Sequence, residues 1–134
     1  MQTVHTVPAQ FSRAGVVWLK LAVAYLVIGV LMGIVMGATQ DFRLAPVHAH
    51  INLLGWATLA LAGLVYTLFP QAGESGLARL HFWLINLALP VMSAALAAQL
   101  LGFPAAGPVL GIASLVAGLS VAAFGANLFI NLKA

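Results

Sequence analysis

The sequence predicts an all-α integral membrane protein: a single domain over 1–134, with four transmembrane helices running up and down and both termini in the cytoplasm. Three observations carry that expectation. Of the 134 residues, 63% are apolar and 5% charged. A soluble domain carries roughly 25% charged residues, so this chain cannot cover its surface against water. The apolar residues fall into four runs, 16–38, 46–69, 80–101 and 105–130, each near the about 20 residues that cross a bilayer. The basic residues gather at one end of those runs.

The first run follows Arg13 and resembles a signal peptide. It exceeds the roughly 7–15 apolar residues of such a segment and lacks a good exit site, so it reads as a span. It carries Gly29, Gly33 and Gly37, a doubled G-x-x-x-G that lets another helix approach closely, inside the protomer or from another chain. The second run opens on Pro46 and carries His48, His50, Asn52, Gly55, Trp56 and Tyr66. The third begins at His81 and is interrupted by Pro90, which frees backbone carbonyls for Asn86 or Ser93. The fourth presents Gly107, Gly111, Ser114, Gly118 and Gly125 as a small-residue face, and Asn127 and Asn131 read as capping or leaving it. Trp18, Trp56 and Trp83 read as partly interfacial anchors, with Trp56 deeper. The linkers 39–45, 70–79 and 101–104 are short, so successive helices are antiparallel neighbours in one sheet or bundle.

Arg13, Arg79, Lys133 and a snorkelling Lys20 fall on one side, and Arg43 alone on the other. The positive-inside rule then puts both termini in the cytoplasm, as in a multi-pass protein of a bacterial-type inner membrane.

Absences narrow the function. With no cysteine there is no disulfide, thiolate metal site or covalent haem attachment, so any haem is held non-covalently. The net charge of +3 forms no basic cluster, which excludes nucleic acid as a partner. The spans contain no Asp or Glu, only Asp41 and Glu74 existing in loops. A proton pump or ion-coupled carrier usually needs an acidic relay. No inverted repeat is visible.

His48 and His50 are the candidate ligands. At about 100° per residue they leave nearly opposite flanks of one helix. Two ligands for one ion on one helix would stand at i and i+4, so the spacing indicates two separate sites. Beneath His48 come Asn52, Gly55, Ala62 and Tyr66; beneath His50 come Leu53, Leu54, Ala57 and Leu61. Gly55 admits something close to the backbone, and the leucine flank suits a porphyrin rim. Asn52 is a candidate partner for a ligating ring. A lone polar residue in a membrane helix often only bonds a neighbouring helix, at about 0.6–2 kcal/mol. Two ionisable groups on opposite flanks, amid so little polarity, read as functional. His81 stands at the other end of a span, ~30 Å away, and cannot share a small metal site with them in one chain. No role is assigned to His81 or His5.

The stretch His48-Ala-His50-Ile-Asn52-Leu-Leu-Gly55-Trp56, followed by Gly63, Tyr66 and Pro70, resembles the tenth helix of the catalytic subunit of haem-copper oxidases. The C-type cytochrome oxidases and the related nitric oxide reductases are the most similar branch. Arg43-Leu-Ala-Pro46-Val-His48 also resembles the start of that subunit's second helix. The likeness covers about residues 43–70 and is architectural elsewhere. It implies that His48 and His50 ligate haem b iron, one on each flank, with Asn52, Gly55, Trp56 and Tyr66 around it. Family subunits have twelve helices in three arcs of four; a four-helix chain is one arc, which implies a homotrimer. Each haem would then take His48 from one chain and His50 from the next.

This sequence departs from the family at the copper site, whose single histidine and adjacent His-His pair have no match. The acidic and tyrosine elements of the proton channels are missing too. No catalytic residue is assigned, and full oxygen reduction is not expected of this chain alone. The expected function is a lipid-embedded b-type haem protein that exchanges electrons with a redox partner protein or binds a diatomic gas such as NO or O2; if catalytic, it is an oxidoreductase. Two alternatives stand beside it: a copper site formed between protomers by neutral imidazoles, and a cofactor-free structural or assembly subunit of a larger respiratory oxidase.

Overall fold

Ser12 starts the first helix. In the computed structural model of the chain, which describes residues 12–132, its hydroxyl accepts the Gly15 N–H at 3.0 Å. Such a cap satisfies one of the orphan donors of the first turn. Helix α1, Arg13–Thr39, runs to Gln40, which takes the left-handed conformation at φ 54° and donates its amide to the Gly37 carbonyl. The next helix, α2, spans Ala45–Leu68, with Pro46 in its first turn, where no backbone donor is needed. Its middle, Ile51–Thr58, widens into a π-helix, and Thr58 Oγ1 donates five residues back to the Leu53 carbonyl at 2.8 Å.

Pro70–Gly73 makes one helical turn. Helix α3, Gly76–Leu100, is capped by Ser75, whose hydroxyl accepts the Ala78 N–H at 3.0 Å. Gly102, at φ +96°, permits the turn that follows. A short 3₁₀ turn, Pro104–Ala106, leads into α4, Gly107–Asn131. The described residues contain no strand, and the four helices are each long and apolar enough to cross a membrane. Three of them begin or end a few residues from the apolar runs, because caps end a helix whereas the run measures only its greasy length. Lys133 and His5 lie outside the described residues.

The chain packs as two close hairpins, α1 on α2 and α3 on α4. Small residues bring α1 and α2 together. A Cβ on Gly15 would stand 1.8 Å from Thr67 Oγ1, and one on Gly63 would touch Trp18 and Leu19 at 3.0 Å. The doubled glycine motif of α1 therefore acts inside the protomer at Gly29 and Gly33, while Gly37 meets nothing within 4 Å. Gly111, Gly118 and Gly125 of α4 also meet nothing within 4 Å. The hairpins join across a core that includes Leu59, Tyr66, Ile85, Leu89 and Met92. The outside is apolar: Leu53, Leu87, Leu115 and Phe129 are 65, 63, 72 and 93% exposed. Such a surface suits lipid or another chain rather than water.

Two expectations change here. Trp18 is 3% exposed and sits in the core, so it is no interfacial anchor, whereas Trp83 is 62% exposed. Asn86 does bond a carbonyl, but that of Phe82, at 2.8 Å. The carbonyl that Pro90 frees, four residues back, belongs to Asn86 itself, and the buried Ser93 hydroxyl has no partner.

Candidate functional site

Two polar groupings lie at opposite ends of α2. The first begins in the loop between α1 and α2. Arg43 donates from its backbone N–H and from Nε to Asp41 Oδ1 at 3.1 and 3.0 Å, and from Nη2 to Oδ2 at 2.6 Å. The side-chain hydrogen bond from Arg43, ahead of its backbone one, holds the Asp41 carboxyl down to about 2. This fork anchors the turn that delivers Pro46, His48 and His50.

His50 is exposed, and its Nδ1 lies 2.7 Å from the Pro46 carbonyl. A carbonyl only accepts, so Nδ1 carries the proton and donates. In the neutral ring this leaves the lone pair on Nε2. A backbone carbonyl that fixes tautomer and ring orientation in this way is the usual support of a metal-ligating imidazole.

His48 faces the other way, into the α1 seam. A Cβ on Gly33 would stand 3.2 Å from His48 Cε1. Asn52 donates to the His48 carbonyl at 2.8 Å, and its amide nitrogen lies 3.3 and 3.4 Å from the two ring nitrogens. Asn52 itself fills the notch of Gly29, where a Cβ would stand 2.5 Å from its amide. The two imidazoles thus meet different surroundings, His48 half-buried against α1 and His50 on the outside.

Gly55 faces Tyr25, and a Cβ there would stand 2.6 Å from Tyr25 Cγ. The space that the sequence left for a cofactor at Gly55 is filled by this α1 ring. Trp56 is half-buried and packs against the core. Tyr66 is not brought to His48. Eighteen residues of helix place it about 27 Å further along the axis. Among the described residues no three His, Cys, Asp or Glu side chains gather as a metal-holding group.

The second grouping was not legible from the sequence. Tyr66, His81 and Asn127 come from α2, α3 and α4 and are all fully buried. The His81 ring lies between Trp18 and Phe124, at centroid distances of 4.5 and 4.9 Å. Its Nδ1 is 3.0 Å from Tyr66 Oη.

The surrounding bonds decide where the protons lie. Ser75 Oγ is occupied as an acceptor by Ala78 N–H, so its own proton goes to Asn127 Oδ1 at 2.8 Å. Asn131 donates to the same oxygen at 2.7 Å. Asn127 Nδ2 then donates to the Ala72 carbonyl at 3.0 Å and to Tyr66 Oη at 3.3 Å. Tyr66 is left to donate to His81 Nδ1. The proton of the neutral imidazole is thereby placed on Nε2, which is buried without a partner.

Asn127 and Asn131 therefore belong to an internal network and do not merely end the helix. Ser120 adds a bond to the His81 carbonyl at 3.3 Å. The one signal in the sequence is that several polar residues stand near the same ends of three spans.

Comparison with protein-family models, curated proteins and solved structures gives no match. The likeness over 43–70 rests on those residues alone.

Proposed function

We propose that this chain is a membrane b-type haem protein in which His50 and His48, presented on two flanks of α2, would hold the haem. The single observation that carries the reading is the His50–Pro46 bond. It orients an exposed ring and leaves an Nε2 lone pair on an outer surface where Leu53, three residues on, is also exposed. The residues fit haem on that flank better than on the other, because His48 is enclosed by Gly33 and Asn52. A trimer that brings His48 of one chain toward His50 of the next would require that seam to loosen.

Haem, when bound, supplies a one-electron couple, or an open coordination position for NO, CO or O2 where one ligand is missing. The chain's own contribution is to orient the rings, offer the exposed Leu53 to a porphyrin edge and direct the Nδ1 proton of His50 at the Pro46 carbonyl. Arg13, Lys20 and Arg79 at one end, against the Arg43–Asp41 pair at the other, favour cytoplasmic termini in a bacterial-type inner membrane. Copper between protomers is the less favoured cofactor, since an exposed ring with apolar neighbours offers it few further donors.

The test is an optical spectrum of protein purified from haem-replete cells. A Soret band is expected, lost in His50→Ala. A colourless but folded, α-helical preparation overturns the reading. The open glycine face of α4 favours one other reading, a cofactor-free subunit that docks on a larger oxidase. Undiminished co-purification of partner subunits in the His48→Ala, His50→Ala double variant would support it.

A further inference from the structure

The end of the molecule opposite the histidine pair carries cations that no other described residue pairs with. The chain has five Lys and Arg against two Asp and Glu, and Asp41 is already taken by Arg43 at the other end. Among the described residues Arg13, Lys20 and Arg79 form no ion pair, and all three are exposed. Among the described residues Glu74 lines a cleft together with Arg13.

Between α1 and α3 at this end lies a cleft of about 220 Å³, whose lining includes Ala14, Val17, Trp18, Gly73, Arg79, Phe82 and Trp83. It has a charged mouth at Arg79 and an apolar wall formed by Val17, Phe82 and the exposed Trp83. Phe82 and Trp83 meet edge to face at 5.6 Å, which stiffens that wall. A second cleft, of about 350 Å³, shares Ala14 and Gly73 with the first and adds Arg13 and Glu74.

We infer that the cleft between α1 and α3 binds an anionic phospholipid, with its phosphate at Arg79 and an acyl chain against Phe82 and Trp83. A free phosphate would satisfy the guanidinium but leave the aromatic wall bare. A zwitterionic lipid would bring its own cation to a mouth that already has a surplus. Basic recesses between membrane helices on the cytoplasmic side are suited to acidic headgroups. The inference needs the four helices to cross a bilayer and is independent of haem.

The test uses tryptophan fluorescence of the full chain in vesicles that contain dibrominated phosphatidylglycerol or dibrominated phosphatidylcholine at equal mole fraction, since bromine quenches only indoles that it touches. The expected result is a preference of about fivefold for the anionic lipid, the effect of one basic residue at a membrane surface. The preference should vanish in Arg79→Gln, persist in Arg79→Lys and in Arg43→Gln, and lose its fluorescence signal in Trp83→Phe. Inorganic phosphate at millimolar concentration should not compete. Equal quenching by the two lipids, a preference that survives Arg79→Gln in protein with unchanged helicity, or displacement by phosphate would each overturn the assignment.

Discussion

Tyr66 donates its phenolic proton to His81 Nδ1 across 3.0 Å, and both side chains are fully buried. This bond links α2 to α3, and Asn127 of α4 holds the same phenol from the other side at 3.3 Å. Trp18 of α1 stacks on the imidazole at 4.5 Å. All four helices therefore meet at one polar and aromatic knot.

Substitutions there should separate packing from hydrogen bonding. Tyr66→Phe keeps the ring and removes one bond on each side, which is expected to cost about 1 kcal/mol. His81→Ala also opens a cavity between Trp18 and Phe124 and should cost about 3–5 kcal/mol, as deletion of a large buried ring does. Reversible unfolding in mixed micelles would measure both. Equal losses in the two variants would mean that the stacking contributes nothing.

The glycines of α1 should differ sharply although they share one motif. Gly29→Ala drives a methyl into the Asn52 amide and should cost about 1–3 kcal/mol, the usual penalty of overpacking. Gly37→Ala meets open space and should change stability by no more than about 0.5 kcal/mol. The same unfolding measurement decides it. A large loss at Gly37 would place that glycine in an interface between chains.

The loop before α2 should respond to acid. The Asp41 carboxyl is lowered from 3.8 to about 2 by its hydrogen bonds to Arg43. A depressed carboxylate favours the folded loop above its ordinary range, and that contribution is lost as pH falls through about 2. Carbon-13 shifts of the Asp41 carboxyl should thus titrate near 2 and move upward in Arg43→Gln. Because the pair is exposed, high salt should weaken the shift.

If haem is bound, Asn52 is a testable part of its site. Asn52→Ala removes the amide that ties the His48 carbonyl and ring into the α1 seam, so haem affinity should rise, since ligation by His48 requires that seam to loosen. Thr58→Ala, whose hydroxyl only returns to the Leu53 carbonyl, should leave affinity unchanged. Haem titration of the apo-protein distinguishes them, and equal effects would remove Asn52 from the site.

Much of the architecture was written along the chain. Hydropathy alone placed four helices, because crossing hydrocarbon demands about 20 apolar residues whatever the neighbours are. The spacing of His48 and His50 put the rings on different sides, because helix geometry is local. Local rules do not say what stands opposite a given face. That Gly33 receives His48, that Tyr25 fills the space at Gly55, and that Tyr66, His81 and Asn127 converge were decided only by packing. Each depends on the relative rotation and axial offset of helices distant in sequence, which a four-way fit of large and small side chains sets and no single segment contains.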